Sequence, residues 1–253
     1  DVAYEFMIRA MGGRRSVTGA PDEEPGGGPQ KVGVPIVDIM TGMYATISVL
    51  AALTRRDQDG SSEVIDIAML DVATAMLANQ ATNHLVSGAT PVRKGNKHPN
   101  IQPQDVFPVR DGHLVLAVGN DEQFVRFAHA IARPELSENP QFQTNAERVN
   151  NLVELHPLIC RELSKRDLAD WLQIFGEHQI PCGPINTVPM VLAEPQVQHR
   201  NMLQSLAHPL AGEVSSVVSP MKFQNNNLTF DKAPPLLGEH TSEILLELGI
   251  GKE

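Results

Sequence analysis

Asp38 is the residue in this chain whose type and setting best suit chemistry. It lies between Val37 and Ile39, early in a segment that is apolar on most faces, and downstream of a glycine-rich stretch, Gly12 to Gly33. A carboxylate in the first turn of a helix gains from the positive helix end, which favours its ionised form. A flexible backbone beside it leaves room for a substrate. The same placement also describes a carboxylate that only caps a helix, so on the residues alone both readings stand. Other reactive side chains read as structural. Cys182, in Ile180-Pro181-Cys182-Gly183-Pro184, has no partner base near it and reads as a turn cysteine. Glu239-His240-Thr241 resembles an acid/base pair, but after Gly238 and before an apolar run it reads as a helix start. His84, His98, His113, His156 and His178 lack compact metal spacing and read as surface or helix-edge residues. Phosphate-loop, Cys-x-x-Cys, His-Glu-x-x-His and Gly-x-Ser-x-Gly motifs are all missing from the sequence.

The elements that must position Asp38 follow from periodicity. Glu5 to Met11 reads as the end of a helix, and the Gly- and Pro-loaded stretch Gly12–Gly33 as a long loop. From Pro35, apolar residues at Ile36, Val37, Met40, Met43, Tyr44, Ile47 and Leu50, closed by Arg55-Arg56, predict a buried helix. Val64–Ile67 reads as a short strand and Met69–Leu85 as a second apolar helix. Thr90–Gln104 is irregular. Residues 105–118 then form a hairpin around Asp111-Gly112, because Asp-Gly readily supplies the positive φ of a two-residue turn. Helices are expected over 121–132, 145–164 and 167–177, strands near 203–207 and 214–218, and a last helix over about 239–248.

Composition limits the function. With 20 Lys and Arg against 30 Asp and Glu, the net charge of −10 argues against a general nucleic-acid or anionic-membrane surface. The longest mostly apolar stretch, Met43–Leu53, falls short of the ~20 residues of a spanning helix, so no membrane span is expected. The opening residues carry no secretory cleavage site. Two cysteines, Cys160 and Cys182, make no disulfide framework and point to a reducing compartment, the cytoplasm or a mitochondrial matrix.

Several ordered blocks carry a resemblance. They are Tyr4-Glu5-Phe6-Met7-Ile8-Arg9-Ala10-Met11-Gly12-Gly13, Ser16-Val17-Thr18-Gly19, Val32 to Tyr44, Val64 to Asp71, Ala117 to Asp121, Thr144-Asn145 with Arg148-Val149, Pro181 to Asn186, Ala193 to Val197 and Pro235 to Thr241. In this order, nearly from end to end, the chain resembles the family III CoA-transferases, the group of formyl-CoA transferase and carnitine CoA-transferase. The resemblance implies an α/β fold: part of a Rossmann-like CoA-binding domain (1–88), a smaller α/β domain (89–186), and a tail (187–253) returning to the large domain, in an interlocked homodimer. It implies that Asp38 is the nucleophile, passing an acyl group through an aspartyl anhydride and an aspartyl-CoA thioester. It places Ala3, Tyr4 and Glu5 beside the pantetheine arm of CoA and Met69 near the adenine or ribose. CoA is then a substrate, and no tightly bound cofactor or metal is implied.

An acidic protein that takes a polyanionic substrate needs a local basic patch, for which Arg14, Arg15, Arg93, Lys94 and Lys97 are the candidates. The related racemases use a histidine where this chain has Tyr4, a poor base near neutral pH with an unperturbed pKa of ~10, so transfer is favoured over racemisation. Gly95-Asn96-Lys97-His98-Pro99-Asn100 replaces the glycine-repeat loop of formyl-CoA transferase, and other blocks lie closer to dicarboxylate-using members such as succinate–glutarate CoA-transferase. A short dicarboxylate is the expected acid, with a cation near residues 93–97 for its distal carboxylate. Since the first block falls within a few residues of the start, the chain reads as the later part of a longer transferase. A catalytically silent acyl-CoA-binding or assembly fragment is the remaining alternative.

Overall fold

Two kinds of apolar pattern, a helical one before residue 88 and an alternating one after residue 104, build different parts of the molecule. The computed structural model describes residues 4–226 and 228–250 and divides into two units, the first ending at Pro184 and the second beginning at Ile185. The first unit opens with helices α1 (Glu5–Met11), α2 (Arg14–Val17), α3 (Ile36–Asp59), α4 (Met69–Ala75) and α5 (Ala78–Ser87). Ile8 of α1, Val37 of α3 and Ala73 of α4 meet in a small buried cluster, with Met69 and Met76 packed against it. At that junction α1 and α4 come so close that a Cβ on Gly12 would stand 2.7 Å from the Ala73 Cβ. Only glycine fits there.

Three expectations for this region are corrected. The stretch Gly12–Gly33 is not wholly irregular, because Arg14–Val17 forms one helical turn and Gln30 N–H donates to Thr18 O at 2.9 Å. Val64–Ile67 is extended but pairs with no strand among the described residues, and Val64 is 96% exposed; β-branched residues supply propensity, whereas a strand needs a partner's ladder. Met69–Leu85 is two helices. The chain breaks at Met76-Leu77 and Ala78 takes a positive φ of 45°, although neither Gly nor Pro marks the site. Helix α3 also corrects the estimate drawn from Met43–Leu53: its 24 residues are long and apolar enough, by length and composition alone, to cross a membrane. An apolar helix face packed against further protein has the same composition.

The rest of the first unit comprises β1 (Gln104–Val109), β2 (Gly112–Ala117), α6 (Asp121–Ala130), α7 (Glu135–Glu138), α8 (Asn145–Asn150), α9 (Leu152–Leu163), α10 (Leu168–Glu177) and β3 (Cys182–Pro184). The strands form one antiparallel sheet in the order β1-β2-β3. Inward-facing Phe107, Leu114 and Leu116 are fully buried against Phe127, Ile159 and Phe175 of the helices. The hairpin turn lies one residue earlier than expected: Gly112 pairs with Val109, leaving Arg110-Asp111 as the loop, with no positive φ. Tertiary partners replace the turn chemistry. Arg110 N–H donates to Arg166 O, its side chain pairs with Asp167, and Asp111 Oδ1 accepts Leu168 N–H at 2.8 Å, fixing the start of α10. The expected helix over 145–164 divides at Asn151.

Arg148 anchors this core. Its side chain is fully buried, donates to the carbonyls of Gln102 (2.7 Å) and Phe142 (2.9 Å), pairs with Asp121 at 2.7 Å, and lies over the Phe124 ring. The second unit holds α11 (Val188–Ala193), α12 (Pro195–His199), the hairpin β4 (Leu203–His208) and β5 (Gly212–Val217), and α13 (Thr241–Glu247). Arg148→Met keeps the apolar stem but strands the buried carbonyls. It should cost about 3 kcal/mol of stability, read as a lower urea midpoint.

Candidate active site

A helix start leaves its first N–H groups without acceptors, and in α3 the residue at the cap position is Pro35, whose side chain accepts nothing. The acceptor comes instead from α1. Glu5 Oε1 receives the Val37 N–H at 2.9 Å and also pairs with Arg9, one helical turn along α1. Arg9 is 5% exposed, and its guanidinium donates to Val32 O at 2.7 Å and to Val34 O. Asp38, the third residue of α3, is exposed, and among the described residues no group hydrogen-bonds or ion-pairs with its carboxylate. The capping role that competed for Asp38 is therefore filled by Glu5. Burial works against the Glu5 charge, but the hydrogen bonds from Arg9 and Val37 and the Arg9 charge outweigh it and hold the carboxyl below the ordinary glutamate range.

The other expected site residues distribute as follows. Glu5 and Asp38 are brought together through the backbone of α3. Tyr4 is 72% exposed and caps α1 with its carbonyl, which accepts Met7 N–H at 2.8 Å. Met69, half-buried at the start of α4, packs on the Ile8–Val37–Ala73 cluster. Ala3 lies outside the described residues. Gly119 has committed its N–H to Gln123 Oε1 at 2.6 Å, and Gly42 lies inside α3.

Most of the expected basic patch is already engaged. Arg93 pairs with Asp22 and Lys97 with Glu24 (3.5 Å), which ties the glycine-rich loop to residues 93–97. Arg15 stacks on Phe6, and Arg14 reaches the Met76 sulfur at 4.0 Å. Lys94 alone of the five makes no such contact among the described residues; it lines a cavity with Asn83, Ser87, Thr90 and Asn100. Arg9 is the residue that sequence reasoning missed. Its signal was the Glu5–Arg9 spacing of four, a pair on one helix face.

Two alternative centres are weaker. His156 is not a scattered helix-edge residue: its Nε2 lies 3.1 Å from Asp105 Oδ2, its ring stacks on Phe107, and Cys160 sits beside it. The Cys160 sulfur is 3.6 Å from Nδ1 and 3.9 Å from Nε2. Near-equal distances put it over the ring, away from the in-plane lone pair that would accept a thiol proton, and burial pushes the thiol up. Cys182 lies in β3, opposite Leu116, not in a turn, and burial raises its thiol too. Glu239 accepts Leu236 N–H at 2.7 Å in the turn ahead of α13, whose own start has no side-chain cap.

The sequence profile of CoA-transferase family III matches residues 1–241. The chain belongs to CoA-transferase family III. It is 38% identical over 245 residues to the succinate–glutarate CoA-transferase of Agrobacterium fabrum, covering 97% of this chain and 60% of that protein. Against the human succinyl-CoA:glutarate CoA-transferase the identity is 32%, over 97% of this chain and 55% of that one. A CAIB/BAIF family protein from Brucella suis superposes with a TM-score of 0.79 at 38% identity, over 98% of this chain and 63% of that structure. The mixed α/β architecture is thus that of the family, and the chain spans less than two thirds of the relatives it matches.

The Glu5 cap makes an acid-dependence prediction. Because its folded-state pKa is depressed, Glu5 contributes stability above the ordinary glutamate range and loses it as pH falls through the lower folded value. Glu5→Gln should flatten this part of the acid-unfolding curve while lowering stability at pH 7, measured by thermal midpoints from neutral to acidic pH.

Proposed function

We propose that the protein is a CoA-transferase in which Asp38 is the nucleophile. The observation that carries this is an exposed, uncommitted carboxylate in the first turn of α3, with the helix-capping duty met by Glu5, in a chain of family III. The Asp38 carboxylate attacks the carbonyl of an acyl-CoA, expelling CoA thiolate and leaving a mixed anhydride. The thiolate then attacks the aspartyl carbonyl, releasing the acyl group as its carboxylate and leaving an aspartyl-CoA thioester. An acceptor carboxylate attacks that thioester, and the same two steps run in reverse deliver the new acyl-CoA and regenerate Asp38. Each step exchanges one activated acyl bond for another, so activation is conserved without hydrolysis.

That chemistry requires a dry, closely held thioester, and therefore a cover over the exposed Asp38. The homodimer implied by the resemblance would supply one. The donor and acceptor are read as short dicarboxylates and their CoA thioesters, supported by the names of the Agrobacterium and human relatives. Lys94, the basic-patch residue left uncommitted, is the group assigned to a distal carboxylate. Cytoplasmic or matrix location remains part of the same proposal.

The test is mass spectrometry of the protein incubated with succinyl-CoA or glutaryl-CoA. An acyl or CoA adduct should map to the Asp38 peptide, and Asp38→Asn should abolish it and lower transfer by roughly 10⁴-fold or more. Turnover without an adduct, or an adduct surviving in Asp38→Asn, would sink the assignment. Exchange of the acyl α-proton without any adduct would point to isomerisation.

A further inference from the structure

We propose that Arg9 is a positioning residue for Asp38, acting through Glu5 and the Val32–Val34 backbone; this rests on the reading of Asp38 as the nucleophile. One guanidinium joins three pieces of chain. It holds the carbonyls of Val32 and Val34, which lead into α3, and it pairs with the same Glu5 oxygen that accepts the Val37 N–H. Val37 is fully buried and immediately precedes Asp38, so whatever fixes the Val37 backbone fixes the root of the Asp38 side chain.

The arrangement is costlier than folding alone needs. A Ser, Thr, Asp or Asn at the cap position would serve α3 locally, yet Pro35 stands there and the acceptor arrives from 32 residues away along the chain. An exposed pair at this spacing is worth little, whereas this one is removed from water, with the Arg9 and Glu5 side chains 6% and 15% exposed. Burying a guanidinium is unfavourable unless its partners are fixed. Here they are, and the geometry they fix is the first turn of α3. Arg9 also neutralises the Glu5 carboxylate, which would otherwise stand as a bare negative charge beside the peptide that carries the nucleophile. Arginine suits this because its planar fork reaches carbonyl and carboxylate at once, which a lysine cannot do.

The experiment compares wild type, Arg9→Met, Arg9→Lys and Glu5→Gln by single-turnover formation of the Asp38 adduct, acyl-CoA binding, and amide hydrogen exchange without substrate. Arg9→Met should slow adduct formation by about 100-fold, as displacement of a reacting group by about 1 Å does, with acyl-CoA affinity changed less than about threefold. Arg9→Lys should recover part of that rate, and Glu5→Gln, which keeps an acceptor for Val37 N–H, should lose only about tenfold. Exchange at Val37 and Asp38 should quicken while Phe124 and Phe127 in the other core stay protected. An Arg9→Met protein that labels Asp38 at the wild-type rate overturns this proposal alone. So does a loss of rate matched by equal losses of binding and of core protection. If Arg9→Met fails to fold, Arg9→Lys and Glu5→Gln decide by the same readouts. No adduct on wild-type Asp38 overturns the nucleophile reading itself, and this proposal with it.

Discussion

A single oxygen, Oε1 of Glu5, receives both the Arg9 guanidinium and the Val37 N–H, and the placement of the α3 N-terminus depends on it. The carboxylate and the guanidinium are both largely out of water, and each offsets the other's desolvation, with Val32 O, Val34 O and the Val37 N–H as further partners. Around this pair the fit is close. Gly12 lets α1 lie against Ala73 of α4, and Ile8, Val37 and Ala73 seal the junction. Asp38 is held at its root through Val37 and left open at its tip.

The second core obeys different rules. Between residues 104 and 184 the packing is dense and aromatic, with Trp171, Phe175 and Phe127 in contact and Arg148 at full burial tying Gln102, Phe142 and Asp121 together. Deep burial and the Arg148 hydrogen bonds distinguish it from the more exposed helical segment before residue 88. The loop Thr18–Gln30 bridges toward it through Arg93–Asp22 and Lys97–Glu24. Those contacts spend the cations that an acidic protein would otherwise offer to an anionic substrate.

Helix α3 is the point at which this chain is least self-sufficient. Ile39, Met43, Ile47 and Leu50 are each more than half exposed, an apolar helix face left uncovered by the described residues. Relatives that are longer than this chain share its fold over the region compared.

Sequence by itself located most of the longer helices and the strands of both hairpins, because 3.6-residue and two-residue apolar periods mark the elements, but it predicted a buried α3 whose apolar face is largely exposed. It also singled out Asp38, since a carboxylate in an apolar first turn is conspicuous, and the ordered blocks marked the family. Period carries no information about partners, however. Val64–Ile67 has strand residues without a ladder, Met76-Leu77 breaks a continuous apolar pattern, and the hairpin turn moved by one residue to meet Asp167 and Leu168. For the same reason only the tertiary structure showed which carboxylate caps α3. Capping is a contact between chain segments 32 residues apart, so it took the folded junction to give that duty to Glu5, reveal Arg9 behind it, and leave Asp38 uncommitted.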